Sequence, residues 1–528
     1  MKKLLIGLFL FFLTMPCFAQ KGLGKVRIDL FDGGQDSFNL SDILESNQSQ
    51  SAQNVVLSKK GQLSKRKGQE IFIASHGTVA FTGLGRFDPD TSTSYMMVAS
   101  GVNVIRALSS STEWTTVNSD DPISSGYDTE FIQANDLLFI LNGQDPTHWY
   151  DGTTFTEGTD NTSSPPTAST GAWLNNYLFL SGNDVNEDWV YFSNSLEPEI
   201  FTSTDLMKIN TGDGQRVQRV ESFRLFELIV YKERSIFVLD ITGSFDDGAW
   251  TVQPISKSVG CIAPRSVVSL GNDQWFLSSN PIAVRSLARS EYDKILVNMV
   301  STPIQDIFDG TGTVTINKTY IDNACAVLFD SKYLLALTTG SSTINNTVAA
   351  YDFITNSWYV IDGWYPAAWI IFDNKLYYVD ARDAKVTECF TGTTGDLTHN
   401  SSQPTVAIEY EYISRNIDFD NPENFKQLDA MEVEFETAGD YDVTLSINLD
   451  HDGFQEIGTI NLSGDVITLP VNLPFTLTSG GVAKETFQLQ EYGEFRKMQI
   501  KIIQDGLSEV CNLYRATLFA QEKPWRRE

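Results

Sequence analysis

Between residues 81 and 395 the chain alternates short apolar runs with clusters of Asn, Asp and Gly. The pattern is clearest over 172–240, where the successive runs are AWLNNYLFLSG, EDWVYFSNSLEPEIF, LMKINTG and QRVQRVESFRLFELIVYKERSIFVLD. Aromatic and β-branched runs of about four to eight residues between turn formers predict strands, and Asn, Asp and Gly accept the left-handed backbone that closes a hairpin. The stretch therefore reads as two consecutive four-stranded antiparallel units. No apolar pattern of period 3.6 persists beyond two turns here, which argues against long helices.

The phrasing recurs. A polar turn precedes an apolar strand in RFDPDTSTSYMMVASG, ANDLLFILNG, LNNYLFLSG, FRLFELIVYKE, LGNDQWFLSSN, FDSKYLLALTTG and FDNKLYYVD. Taking Asp88, Asn135, Asn175, Arg224, Asn272, Asp330 and Asp373 as markers, successive gaps are 47, 40, 49, 48, 58 and 43 residues. A period of ~40–50 residues with about four strands per copy is the signature of β-propeller blades. Seven copies predict a seven-bladed β-propeller over 76–395, with six or eight blades as neighbouring counts and a series of β-sandwiches as the other architecture. The last copy has room for about three strands, and 70–74 (EIFIA) is the expected donor of the closing strand.

The flanks differ in texture. Residues 1–19 resemble a secretory signal, with Lys2 and Lys3 ahead of a short apolar segment and Cys17-Phe18-Ala19 as a small-x-small cleavage site. An N-terminal arm follows over 20–75. It is polar and turn-rich, with a short helix expected at 41–53 and a small hairpin at 55–65. Residues 396–404 read as a polar linker. Beyond it, 431–436, 443–449 and 498–502 alternate strictly between apolar and polar, so 405–528 is expected to form a β-sandwich.

With 528 residues, 41% hydrophobic and 20% charged, the chain has the composition of a packed, multidomain globular protein. After the N-terminus no apolar run approaches the ~20 residues of a membrane span. The net charge of −29 argues against wrapping nucleic acid by phosphate neutralisation. Cys261, Cys325, Cys389 and Cys511 form no CxxC pair or metal-ligand cluster and read as buried free thiols, with an isolated disulfide as the alternative if the protein is exported.

Candidate chemistry is sparse. His76, His148, His399 and His451 are scattered and read as solvated turn residues. GxSxG, HExxH and P-loop motifs are absent. Asn448-x-Asp450-x-Asp452-Gly453 imitates the start of a calcium loop, but its twelfth position is Thr459, so a hairpin turn is the better reading. Ser244 to Trp250 resembles a sialidase Asp-box with its Trp one residue early. Arg216, Arg219, Arg224 and Arg234 offer no pattern for the arginine clamp such an enzyme needs. Lys59, Lys60, Lys65, Arg66 and Lys67 form a basic cluster in an acidic chain, read either as a docking patch or as a solvated hairpin face. No catalytic, cofactor or metal residue is assigned.

Residues 31–34 (FDGG), Ala52 to Val55 and Gly61-x-Leu-x-x-Arg-x-Gly68 resemble the opening of bacteriophage tail and head–tail connector proteins, although Gln35-Asp36 replaces the Leu-Asn common there. The phrases at 173–182, 190–194, 197–201, 209–212, 228–239 and 260–268 are similar to the central blades of tail-hub propellers of short-tailed phages. The segment 412–419 is similar to the terminal domain of virion proteins of this type. The resemblance implies a non-enzymatic virion protein: a homo-oligomeric ring below the portal and adaptor that extends the DNA channel, carries distal needle or fibre proteins and reads no nucleic-acid sequence. The signal-like start departs from that picture and supports the alternative, an exported propeller in the periplasm or medium that binds glycans or surface proteins. A secreted hydrolase is the third class.

Overall fold

The computed structural model describes residues 23–523 except 58–60, 74–76, 78, 91–92, 160–162, 290–294, 393–394, 400–401 and 464–480. The signal-like segment, Lys59, Lys60 and His76 lie outside the described residues.

The chain is all-β and forms a β-propeller. Six four-stranded antiparallel sheets follow one another at 81–116, 130–156, 170–208, 217–256, 268–299 and 366–389, the last completed by strand Gln69–Ile73. A further four-strand meander over 325–362 has the same internal order but continues into a ten-stranded sheet. The first strands lie side by side in chain order, Phe81–Phe87 against Glu130–Ala134 and onward, until Pro366–Phe372 returns to Phe81–Phe87. The sheets therefore stand around a common axis.

The turn chemistry explains the repeat. The markers Asn135, Asn175, Asp330 and Asp373 all adopt positive φ in the tight hairpin between the first and second strands of their sheets, the conformation that Asn and Asp tolerate at least cost. The second strands, such as Leu137–Leu141 and Lys375–Asp380, are buried after their first residue. They are covered on both faces by neighbouring sheets, so they read as continuous apolar runs rather than alternations. Separate apolar clusters fill most gaps, such as Phe87, Met97 and Leu138 between the first two sheets and Phe179, Phe192 and Trp250 between the third and fourth. Leu334 and Trp369, between the meander and the last sheet, instead belong to the same cluster as the C-terminal core. Near the axis the first strands crowd together. A Cβ on Gly85 would come within 2.4 Å of Phe131, so only glycine fits there.

Two further sheets share one core. Strand Lys426–Glu436 lies between Asn512–Glu522 and Val482–Gln488 in a seven-stranded sheet. Opposite it run Tyr410–Ser414, Met498–Gln504, Asp442–Leu449 and Phe454–Asn461. Met431, Val433, Phe435, Leu445, Ile447, Ile500 and Leu518 meet in a single buried cluster between them.

The N-terminal arm joins these parts. Strand Leu23–Ile28 pairs with Asn512–Glu522. Strand Gln48–Gln53 touches Ser357–Asp362 of the 325–362 meander on one side and pairs with Tyr410–Ser414 on the other, making one ten-stranded sheet that runs from the propeller into the C-terminal half. The short helix expected at 41–53 is thus corrected to a strand over its second half. Residues 41–47 form turns and bends, and over 48–53 distant partners favour the strand: Ser49 donates to Gly34 O at 2.8 Å, Ser51 to Glu411 at 3.0 Å and Gln53 to Asp362 at 2.7 Å. Gly34 explains the FDGG motif: φ is +63° and a Cβ would lie 2.5 Å from Trp358 O. The expected linker over 396–404 is also corrected, since Gly395–Leu397 pairs antiparallel with Pro404–Ala407.

Candidate functional site

Strand starts point charged groups at the propeller axis. A cavity of about 450 Å³ there is lined by residues from Leu84 in the first sheet through to Trp369 in the last. Arg219, on the first strand of the fourth sheet, donates to Glu130 of the second sheet and, at 2.8 Å, to Glu221. Arg265 sits in the short turn Pro264–Ser266, which is tied down by Ser266 Oγ donating to Ala263 O at 2.6 Å and Tyr333 Oη donating to Ser266 O at 3.0 Å. From there it reaches Asp128 at 3.0 Å and donates to Ala367 O at 3.1 Å. These contacts cross between sheets that are not neighbours in the ring.

Burial pushes the Glu130 carboxyl upward although Arg219 lies against it. Burial also opposes the Arg219 charge, but Glu130 and Glu221 outweigh it and hold the guanidinium protonated. The arrangement consists of the ion pairs Arg219–Glu130, Arg219–Glu221 and Arg265–Asp128, with Ser269 Oγ donating to Glu221 at 3.4 Å. Among the described residues no three His, Cys, Asp or Glu side chains are placed to hold a metal ion.

A second opening, about 710 Å³, lies where the 325–362 meander meets the hairpin 395–407. Its lining is largely hydroxyl, amide and carboxylate, including Thr339, Asn346, Asp362 and Glu409, with the ring of Tyr365. Arg382 stacks on that ring at 3.8 Å.

The basic cluster is only partly a surface. Lys67 is exposed, but Lys65 is buried and Arg66 is fully enclosed. Arg66 donates to both Asp396 oxygens, one at 2.9 Å, to Asn54 at 2.8 Å and to Asp362 O at 2.8 Å, and it stacks over Trp364 at 5.0 Å. Lys65 donates to Gln504 and Gly506 O. Both are therefore corrected from candidate docking groups to internal cross-links, because a buried guanidinium needs a bidentate anion and planar donors satisfied on every side.

Other flagged residues fall as follows. His148 is buried rather than solvated: its Nδ1 accepts the Gly158 N–H at 2.9 Å, and burial lowers its basicity. His399 is exposed and lies 2.6 Å from Asp383. The loop at 448–453 is the hairpin turn between Asp442–Leu449 and Phe454–Asn461. Asn448 accepts from Gly453 N–H, and Asp450 accepts from the N–H groups of Arg496 and Lys497, so these oxygens face the protein. Trp250 of the Asp-box-like turn packs into the aromatic cluster with Phe192 and Phe245. Of the four arginines considered for a clamp, Arg216 and Arg219 line the axial cavity. Arg216 pairs with Asp184 and Arg234 lies near Glu233 at the surface. All four cysteines from Cys261 onward are free and buried.

The axial residues Asp128, Glu130 and Arg265 escaped sequence reasoning. Their one available signal was a charge at or just before a first strand, in the second and fifth sheets, and such charges ordinarily read as hairpin ends.

No known protein family and no curated protein matches the sequence. Among solved structures, the computationally designed Ika8 protein aligns with 61% of this chain over all of its own length at 11% identity and TM-score 0.38. The extracellular domain of the putative hybrid two component system BT4673 from B. thetaiotaomicron aligns with 62% of the chain at 9% identity and TM-score 0.42, and the alignment spans 40% of that structure. The Neurospora crassa Pan2 WD40 domain aligns with 62% of the chain and 98% of its own at 7% identity and TM-score 0.37. At these scores none bears on what the chain does.

Proposed function

We propose that the chain is a structural virion component, a tail-hub or head–tail connector protein that assembles as a ring, extends the DNA channel and carries distal tail parts without catalysis. The observation that carries this reading is the ten-stranded sheet running from the propeller into the C-terminal half. It welds the two parts into one body suited to bearing load. On this reading the 325–362 meander counts as a blade, giving seven, and the two facing C-terminal sheets are a β-sandwich. The C-terminal resemblance at 412–419 also falls on this welded region.

The axis of a single propeller is not the conduit in this proposal. A sphere of the axial cavity's volume is about 10 Å across, less than the ~12 Å width of one DNA major groove, and ion pairs cross it. The channel would instead run between copies, whose acidic surfaces repel phosphate and let DNA slide. Mixing the purified protein with portal–adaptor complexes, followed by co-sedimentation and electron microscopy, tests the proposal. A ring seated on the complex is expected, and absence of binding at high protein concentration overturns it.

The polar 710 Å³ opening with its aromatic ring favours the second reading, an exported propeller that binds glycans. Recovery of mature protein beginning at Gln20 from culture medium, together with binding on a glycan array, would select it.

A further inference from the structure

Two surface features complement each other. The first is a knob at 36–45. Its polar groups turn inward: the N–H groups of Ser37 and Phe38 donate to Pro303 O at 3.0 and 3.1 Å, Ser37 Oγ donates to Asp306 at 2.8 Å, and the Asn416 N–H donates to Ser41 O at 3.0 Å. Lys497 reaches Asp42 at 2.9 Å. Three apolar side chains turn outward, leaving Phe38 44%, Leu40 75% and Ile43 69% exposed, while Leu44 is buried. A pinned loop with its apolar groups facing water is the reverse of ordinary surface patterning and marks a contact site.

The second feature is a groove of about 540 Å³. Its floor is the pair Phe329 and Phe390, stacked at 10° with centroids 6.4 Å apart, and Val510 forms part of the wall. Lys65 and Lys67 line it. Among the described residues neither lysine forms an ion pair, and the Lys65 amine meets only neutral acceptors. Lys65 is buried on its neutral acceptors and Lys332 of the lining pairs with Asp330 at 3.1 Å, so in a chain of net charge −29 this groove is an apolar receptor whose exposed cation is Lys67. No Lys or Arg occurs over 36–45; Asp36 is buried and Asp42 is paired with Lys497, which leaves the exposed Glu45 as the carboxylate this apolar ligand can offer.

We propose that the knob of one copy seats in the groove of the next, so that copies of this chain join head to tail through Leu40 and Ile43 on the Phe329–Phe390 floor, with Glu45 facing Lys67. Such heterologous contacts generate rings when the rotation closes. This rests on the ring reading above and supplies its contact.

The test uses the full chain in a Cys17→Ser background, since the other thiols are buried. Leu40→Cys and Val510→Cys proteins, both altered at exposed positions, are mixed under mild oxidation. The mixture is expected to give a disulfide-linked dimer that neither variant forms alone. In sedimentation velocity, Lys67→Glu is expected to weaken association roughly tenfold, and adding Glu45→Lys to the same chain is expected to restore it. A dimer formed by Leu40→Cys alone, association untouched by Lys67→Glu, or a wild-type chain that stays monomeric each overturns the proposal. If rings form and bind portal–adaptor complexes without the mixed cross-link, this contact falls and the virion reading stands. If monomers persist and no complex binds, both fall.

Discussion

Burial sets the chemistry of single residues here. The Lys65 amine is lowered to about 8, chiefly by burial and only partly offset by Cys511 and Glu509 nearby. The folded protein therefore sheds this proton near pH 8, whereas the unfolded chain keeps it to about 10.4. A lowered pKa contributes stability that grows as pH rises between those values and is lost again as pH falls through the lower one. Comparing the Tm of wild type and Lys65→Met from pH 7 to 10 should show the difference moving in favour of wild type above pH 8. A constant difference would refute it. The thiols behave in the opposite sense, with Cys261, Cys325 and Cys511 pushed up to about 12 by burial. Dithionitrobenzoate should leave these residues and Cys389 unmodified in the native protein and label all four in denaturant.

At the scale of elements, the hub is braced by charge. Removing Arg219 strands the half-buried Glu130, and the loss should fall below the ~3–5 kcal/mol of breaking a fully buried pair. Urea unfolding of Arg219→Met should show that loss, and Arg219→Met with Glu130→Leu should recover part of it, because the Glu130 charge is removed while Glu221 is still left without its arginine. Strand order was legible at this scale because local chemistry dictates it: Asn135, Asn175, Asp330 and Asp373 announce their hairpins by residue type alone. Pairings set by distant contacts were not legible. Arg66 reads as one more exposed cation of a basic run until Asp396, 330 residues away, is brought to it. Strand Gln48–Gln53 reads as turn or helix until two distant strands accept its backbone. Glu130 and Arg219 lie 89 residues apart, and only ring closure brings them together.

For the whole molecule, the shared sheet predicts cooperativity. A propeller and a C-terminal unit joined by a flexible linker would melt separately, whereas a sheet common to both couples their unfolding. Scanning calorimetry should show one transition whose calorimetric and van't Hoff enthalpies agree. Two resolved peaks would mean that the arm strand does not bind the parts together.

The arm also has a consequence for synthesis. Strand Gln48–Gln53 leaves the ribosome some 360 residues before its partner Tyr410–Ser414. At about 5–20 residues per second it waits roughly 20–70 s with that edge unpaired. An apolar strand left open that long would recruit other nascent chains. This one reads QSQSAQ, almost wholly polar, and it reaches its place through side-chain hydrogen bonds rather than hydrophobic pull. The polarity that hides the strand from sequence reading is what lets it wait safely in water.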